Sequence, residues 1–132
     1  MPNAPSRPEG GKDFKYVQLM DALHGPLEKI DVNALVQACT HQWYNQTLCK
    51  VDESVVRLAV IQGEYHWHHH ETEDEFFYVV SGKLLMDLEG RTVELLPGNG
   101  ILVPKGAEHR PRAPERTVML MVEKASIDPK GS

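Results

Sequence analysis

Only two cysteines, Cys39 and Cys49, occur in the 132 residues. They are too few for a disulfide framework and are expected to pack as free thiols in a reducing compartment. The chain also lacks any run of about 18 apolar residues, the least a membrane-spanning helix requires. Its first dozen residues, Met1 to Lys12, are polar where a secretory leader would be apolar. A cytoplasmic protein without a membrane partner is therefore expected. Basic charge is scarce as well: 14 Lys and Arg stand against 19 Asp and Glu, for a net charge of −5. That balance offers no basic face to nucleic acid. The length suits one domain, and a hydrophobic content of 41% can fill one core of modest size.

What is present falls into two textures. Met1 to Lys12 holds three prolines and two glycines with almost nothing apolar, and reads as a flexible tail over residues 1–12. Lys29 to Ala38 carries Ile30, Val32, Leu35 and Val36 at helical spacing after the turn-like Gly25-Pro26, which predicts one short helix. From Gln42 to Glu123 short runs of Val, Leu, Tyr and Phe alternate with turns at Asp52-Glu53, Ser81-Gly82, Glu89-Gly90, Pro97-Gly98 and Pro104-Lys105-Gly106. So many short strands without intervening helices predict an all-β antiparallel sandwich or closed barrel. In the run beginning at Glu75, alternation puts Glu75, Phe77 and Val79 on one face and Phe76, Tyr78 and Val80 on the other. Both faces are mainly apolar, so both need cover, the outer one from the helix or from a second subunit.

The histidines carry the chemical signal. Four of the seven lie between His66 and His70, and a fifth is His109. Residues two apart on a strand share a side, so His68 and His70 project together while His69 points away. Glu75 follows a short polar connection, at the head of what reads as the adjoining strand. His109 comes just after Pro104-Lys105-Gly106, where a tight turn can return it to the same place. Three neutral imidazoles and one carboxylate suit a single divalent transition metal (Fe, Mn, Ni, Co, Cu or Zn) and leave positions open for water, dioxygen or substrate. Structural zinc more often recruits thiolates, and neither cysteine has ligand spacing to the histidines.

These residues resemble the two sequence motifs of the cupin superfamily. Gly63 to Gly82, with His68, His70, Glu75 and Gly82, is similar to the first motif, and Gly98 to His109, through Pro104 and Gly106, to the second. Two positions depart from the pattern: Gly63 stands one residue closer to His68 than usual, and Ala113 occupies a place usually held by Asn. The resemblance implies a double-stranded β-helix, the cupin jelly-roll barrel, over residues 13–125, followed by a tail over 126–132. It also implies a metal inside near one open end, held by His68, His70, Glu75 and His109, and often a homodimer. It implies no one reaction, because related barrels include isomerases, lyases and dioxygenases as well as binding modules.

Several further residues are candidates for the site. His66 shares the parity of His68 and His70 and is a candidate proton shuttle, as is Glu75 should it move. Phe77 and Val79 share the parity of Glu75 and are expected to wall the cavity, and Arg57, in an otherwise apolar strand, could anchor an anionic group. Tyr65 and Trp67 have the opposite parity and are expected in packing. A metal-dependent enzyme acting on a small polar organic molecule is the expected function; a non-catalytic, metal-dependent small-ligand-binding module is the alternative.

Overall fold

The computed structural model describes residues 16–132; the tail expected over residues 1–12 lies outside them. Eight strands and one helix follow in the order β1 (Tyr16–Leu19), α1 (Val32–Ala38), β2 (Trp43–Val51), β3 (Ser54–Glu64), β4 (Glu75–Ser81), β5 (Leu84–Leu88), β6 (Arg91–Leu95), β7 (Gly100–Val103) and β8 (His109–Lys124). The chain is mostly β with one short helix, as its alternation predicts.

Strand order is β1-β2-β3-β8-β4-β7, with β5 pairing both β6 and β8. The long strand β8 organises the barrel. Its first residues, His109 to Arg112, pair with β5, while Val118 onward pairs with β3 on one side and β4 on the other. Tight turns set the local register. Val51 pairs with Ser54 across Asp52-Glu53, and Asp52 adopts φ +53°, a left-handed conformation that Asp tolerates in two-residue hairpins. Ser81-Gly82, by contrast, closes no hairpin, since β4 and β5 do not pair with each other but with successive stretches of β8. Gly82 (φ +88°) lies so close to β8 that an added Cβ would come within 2.5 Å of Thr117 Oγ1 and 2.6 Å of the Arg116 carbonyl. Only glycine fits that approach.

Two apolar clusters hold the layers. Inward residues of all the main strands, among them Trp43, Ile61, Phe77, Val79, Met86, Met119 and Met121, form the barrel core. On the outside, Ile30, Val32, Leu35 and Val36 from α1 and its approach pack on Leu48, Leu58, Val60 and Val118. Asp31 caps this helix, accepting from Ala34 N at 3.0 Å. The helix therefore covers the outer face of β2, β3 and β8, and not that of β4. Phe76, Tyr78 and Val80 remain 38–39% exposed. No described helix is long and apolar enough to cross a membrane.

Candidate metal centre

His68 and His109 are brought together by backbone pairing. They form an isolated antiparallel bridge, so the segment carrying His68 runs beside the head of β8 and not beside β4, as the sequence suggested. Glu75 reaches the same point from β4, across the barrel interior. One donor atom from each of His68, His70, Glu75 and His109 lies within 4.8 Å of the others, a group that could hold a metal ion. All four side chains are nearly or fully buried, from 1% exposure at His109 to 9% at His68.

The hydrogen bonds around the rings orient the donors. Nδ1 of His68 donates to the carbonyl of His66 at 3.0 Å, and Nδ1 of His109 donates to that of Ala107 at 2.9 Å. A backbone acceptor on Nδ1 fixes that proton and leaves Nε2 as the lone-pair donor, the usual arrangement of a metal-bound imidazole. Yet Nε2 of His109 faces Glu75 Oε1 at 3.0 Å, and Nε2 of His70 lies 3.3 Å from the same oxygen. Both nitrogens of His70 are buried without a hydrogen-bond partner. Ring lone pairs converging on one carboxylate oxygen repel unless a proton or a cation joins them, and three imidazoles with one carboxylate fit a divalent metal in that place.

Protonation agrees with this reading. Burial, followed by the neighbouring His109, lowers the His68 pKa to about 4, so the ring is neutral near pH 7. Burial would raise the pKa of Glu75, but its contacts with His109 and His70 outweigh that and hold it well below the usual carboxylate range. Glu123 behaves oppositely. Burial and the adjacent Glu75 push it up to about 8, against the pull of Arg57.

Beside the metal group lies a cavity with about 30 Å³ of room for water-sized molecules, lined among others by His68, Glu75, Phe77, Tyr65, Arg57 and Glu123. That is space for one or two waters. Of the residues expected to wall it, Phe77 and Arg57 do so, while Val79 packs in the barrel core. Arg57 is already engaged, its Nη1 donating to Glu123 Oε2 at 2.8 Å. His66 is exposed, with its ring centroid 5.2 Å from that of His68 and Nε2 donating to the Lys130 carbonyl at 2.8 Å.

Sequence reasoning missed three features. Tyr65 packs in the barrel core, as its parity suggested, but it also lines the cavity, because β3 ends at Glu64 and strand alternation does not carry across residues 65–67 to His68; burial raises its pKa to about 12. Trp67 is exposed and lies under the Arg110 guanidinium. Residues 126–132 dock across the site: Tyr65 Oη donates to the Pro129 carbonyl at 3.1 Å, Ser132 N donates to that of His69 at 2.8 Å, and Gly131 packs against His68. In addition, Arg110 and Arg112 clamp Asp87.

A small β-barrel enclosing a group of three histidines and one carboxylate is the class of protein that fold and site define. The chain belongs to the cupin domain family, whose Cupin_2 model matches residues 54–123, more than half its length. It is 46% identical over 80 residues to the uncharacterized protein YdbB of Bacillus subtilis, spanning 60% of this chain and 71% of that one. It is 42% identical over 43 residues to polyketide synthase CurC of Streptomyces cyaneus, spanning 33% of this chain and only 28% of that relative. Among solved structures, a cupin-2 domain protein from Shewanella frigidimarina is similar with a TM-score of 0.69 and 27% identity, covering 72% of this chain and 93% of that one.

Proposed function

We propose that this cupin is a metal-dependent enzyme acting on a small polar organic molecule, of isomerase, lyase or dioxygenase type. The observation that carries the reading is that Glu75 and His68 belong both to the four-donor group and to the wall of the adjoining cavity. A water or a ligand oxygen placed in this small cavity meets the donor group at once. A divalent transition metal held there supplies Lewis-acid polarisation of a substrate oxygen. The chain's own residues do the rest: Phe77, Met119 and Met121 exclude bulk water, and Tyr65 offers a hydroxyl at the wall. His66 stands close enough to His68 to pass a proton to solvent once its bond to Lys130 opens. The name polyketide synthase on one relative favours an enzyme over a binding module.

Elemental analysis of protein purified without added metal tests the first half of the reading; about one transition metal per chain is expected. Incubation of that protein with small hydroxy and keto compounds, in air and under nitrogen, tests the second. Recovery of every bound compound unchanged would transfer the reading to a metal-dependent binding module.

The partner reading is a homodimer. Phe76, Tyr78, Val80, Leu102 and Val122 are 38–59% exposed, and they adjoin one another because Phe76 pairs with both Leu102 and Val122. Contiguous apolar faces of this kind mark association surfaces, and a second copy presents the same patch about a two-fold axis. Light scattering on the full chain should give twice the chain mass, and Tyr78→Lys should lower it to one; a monomeric wild type would exclude the dimer.

A further inference from the structure

A second layer of buried charge lies behind the four donors. Glu123 on β8 is the direct cross-strand partner of Glu75 on β4, and both side chains point inward, 3% and 4% exposed. Directly opposed residues on antiparallel strands have Cβ atoms roughly 5 Å apart, so the two carboxyls are neighbours. On the other side of β8, Arg57 pairs with Met121 and reaches along the strand to Glu123, Nη1 to Oε2 at 2.8 Å. Neither the Arg57 nor the Glu123 side chain touches solvent. Arg57, Glu123 and Glu75 all line the one cavity.

Arg57 is therefore a buried cation in the same enclosure as the metal-binding carboxylate. A buried guanidinium left without a counter-ion is strongly unfavourable, and Glu75 is the other carboxylate within that enclosure. Were Glu123 not on Nη1, Arg57 would draw Glu75 away from His109 and His70, from which its Oε1 now lies 3.0 and 3.3 Å.

We propose that Glu123 is a positioning residue that occupies Arg57 and so reserves Glu75 for the metal. The inference rests on the metal-centre reading above. It makes the effect of one charge depend on the presence of the other, which a residue that merely fills the core would not do.

The test is Co(II) binding by the full chain, followed by titration and by the visible absorption of the bound ion. In Glu123→Gln the side-chain volume is kept but Arg57 is unmatched. Affinity should fall on the order of 10-fold or more, the usual scale for a residue behind a ligand, and the absorption bands should shift. In the double variant Arg57→Met with Glu123→Gln no stray cation remains, and affinity should return to within about threefold of wild type with the wild-type spectrum. Unchanged Co(II) affinity and spectrum in Glu123→Gln would overturn the proposal, as would a double variant no better than the single one. If the single variant fails to fold, the double variant decides alone, and a tenfold loss there is the overturning result. A wild-type protein that takes up no Co(II) removes the metal-centre reading itself, and this proposal with it.

Discussion

His68 and His109 exchange both backbone hydrogen bonds, N to O at 3.1 Å in one direction and 2.9 Å in the other. In an antiparallel bridge the two side chains leave on the same face, and the ring centroids here are 4.3 Å apart. The pair of candidate donors is thus built by main-chain pairing and not by side-chain packing. His69, between the two donors of its own segment, turns outward to Glu108, 2.6 Å away.

That geometry predicts how single substitutions divide. His68→Ala, His70→Ala, Glu75→Ala and His109→Ala should each lower metal affinity on the order of 100-fold, because a ligand is worth at least as much as the groups behind it. His69→Ala should retain a full complement. Metal per chain after gel filtration is the measurement. An empty His69→Ala beside a fully loaded His70→Ala would mean that the strand register is displaced by one residue.

The four donors were legible in the sequence because strand parity and motif spacing survive local irregularity: each ligand sits within a few residues of a turn that fixes it. Arg57 also drew notice as a charge in an apolar strand. Glu123 did not, although it continues the inward alternation of Met119 and Met121, a signal the sequence contained. A carboxylate near the end of a strand reads as the exit to solvent, and its burial depends on the pairing of β8 with β3 and β4, which no local pattern encodes. The place of Tyr65 in the core was legible, but its place on the cavity wall was not: β3 ends at Glu64, and alternation says nothing about residues 65–67, which lie outside a strand. The site of α1 on the sheet was likewise open, because apolar spacing names a buried face without naming what buries it.

Acid should act through His68. Its folded pKa of about 4 lies below the ordinary histidine value of 6.5, so the folded state resists the proton that the unfolded chain accepts. Its contribution to stability is present above about pH 6.5 and is lost as pH falls towards 4. Glu123, raised to about 8 from 4.5, has the opposite sign: its contribution is present below about 4.5 and is lost as pH rises through 8. The two oppose each other between about pH 4.5 and 6.5, so the bare melting curve of metal-free protein should change little there. The difference between wild type and His68→Gln isolates the histidine. That difference in melting temperature should move against wild type between about pH 6.5 and 4, and a constant difference would refute the assignment. Bound metal should be released over the same acid range, since protons compete for the same lone pairs.

Residues 126–132 should control access to the centre. Gly131 adopts φ +105°, and a Cβ there would lie 2.8 Å from His68 Cβ and 3.0 Å from the His69 carbonyl. Gly131→Val cannot keep the segment in place without strain of about 1–2 kcal/mol. The segment should lift, breaking the bonds from Ser132 N to the His69 carbonyl and from Glu71 N to Ser132 Oγ. Because the barrel core is untouched, the variant should fold and bind metal, but a chelator should strip the metal faster than from wild type. Equal stripping rates would show that the segment does not guard the site.

The role of His66 separates catalysis from simple binding. Its ring is exposed, close to His68 but outside the group of donors, and Nε2 is held by the Lys130 carbonyl. A shuttle must be free to gain and lose a proton at that nitrogen, so the bond to Lys130 must open during turnover. His66→Gln keeps a polar group of similar reach but cannot relay a proton. Once a substrate has been found, the variant should lose turnover on the order of 100-fold, while metal content and substrate affinity stay near wild type. Gly131→Val, by loosening the segment that holds Nε2, should instead preserve or raise turnover where opening limits the rate. Full activity in His66→Gln would remove this histidine from the mechanism and leave Glu75 as the remaining candidate for proton transfer. Loss of metal in His66→Gln would recast it as a support for His68, whose Nδ1 already donates to the His66 carbonyl.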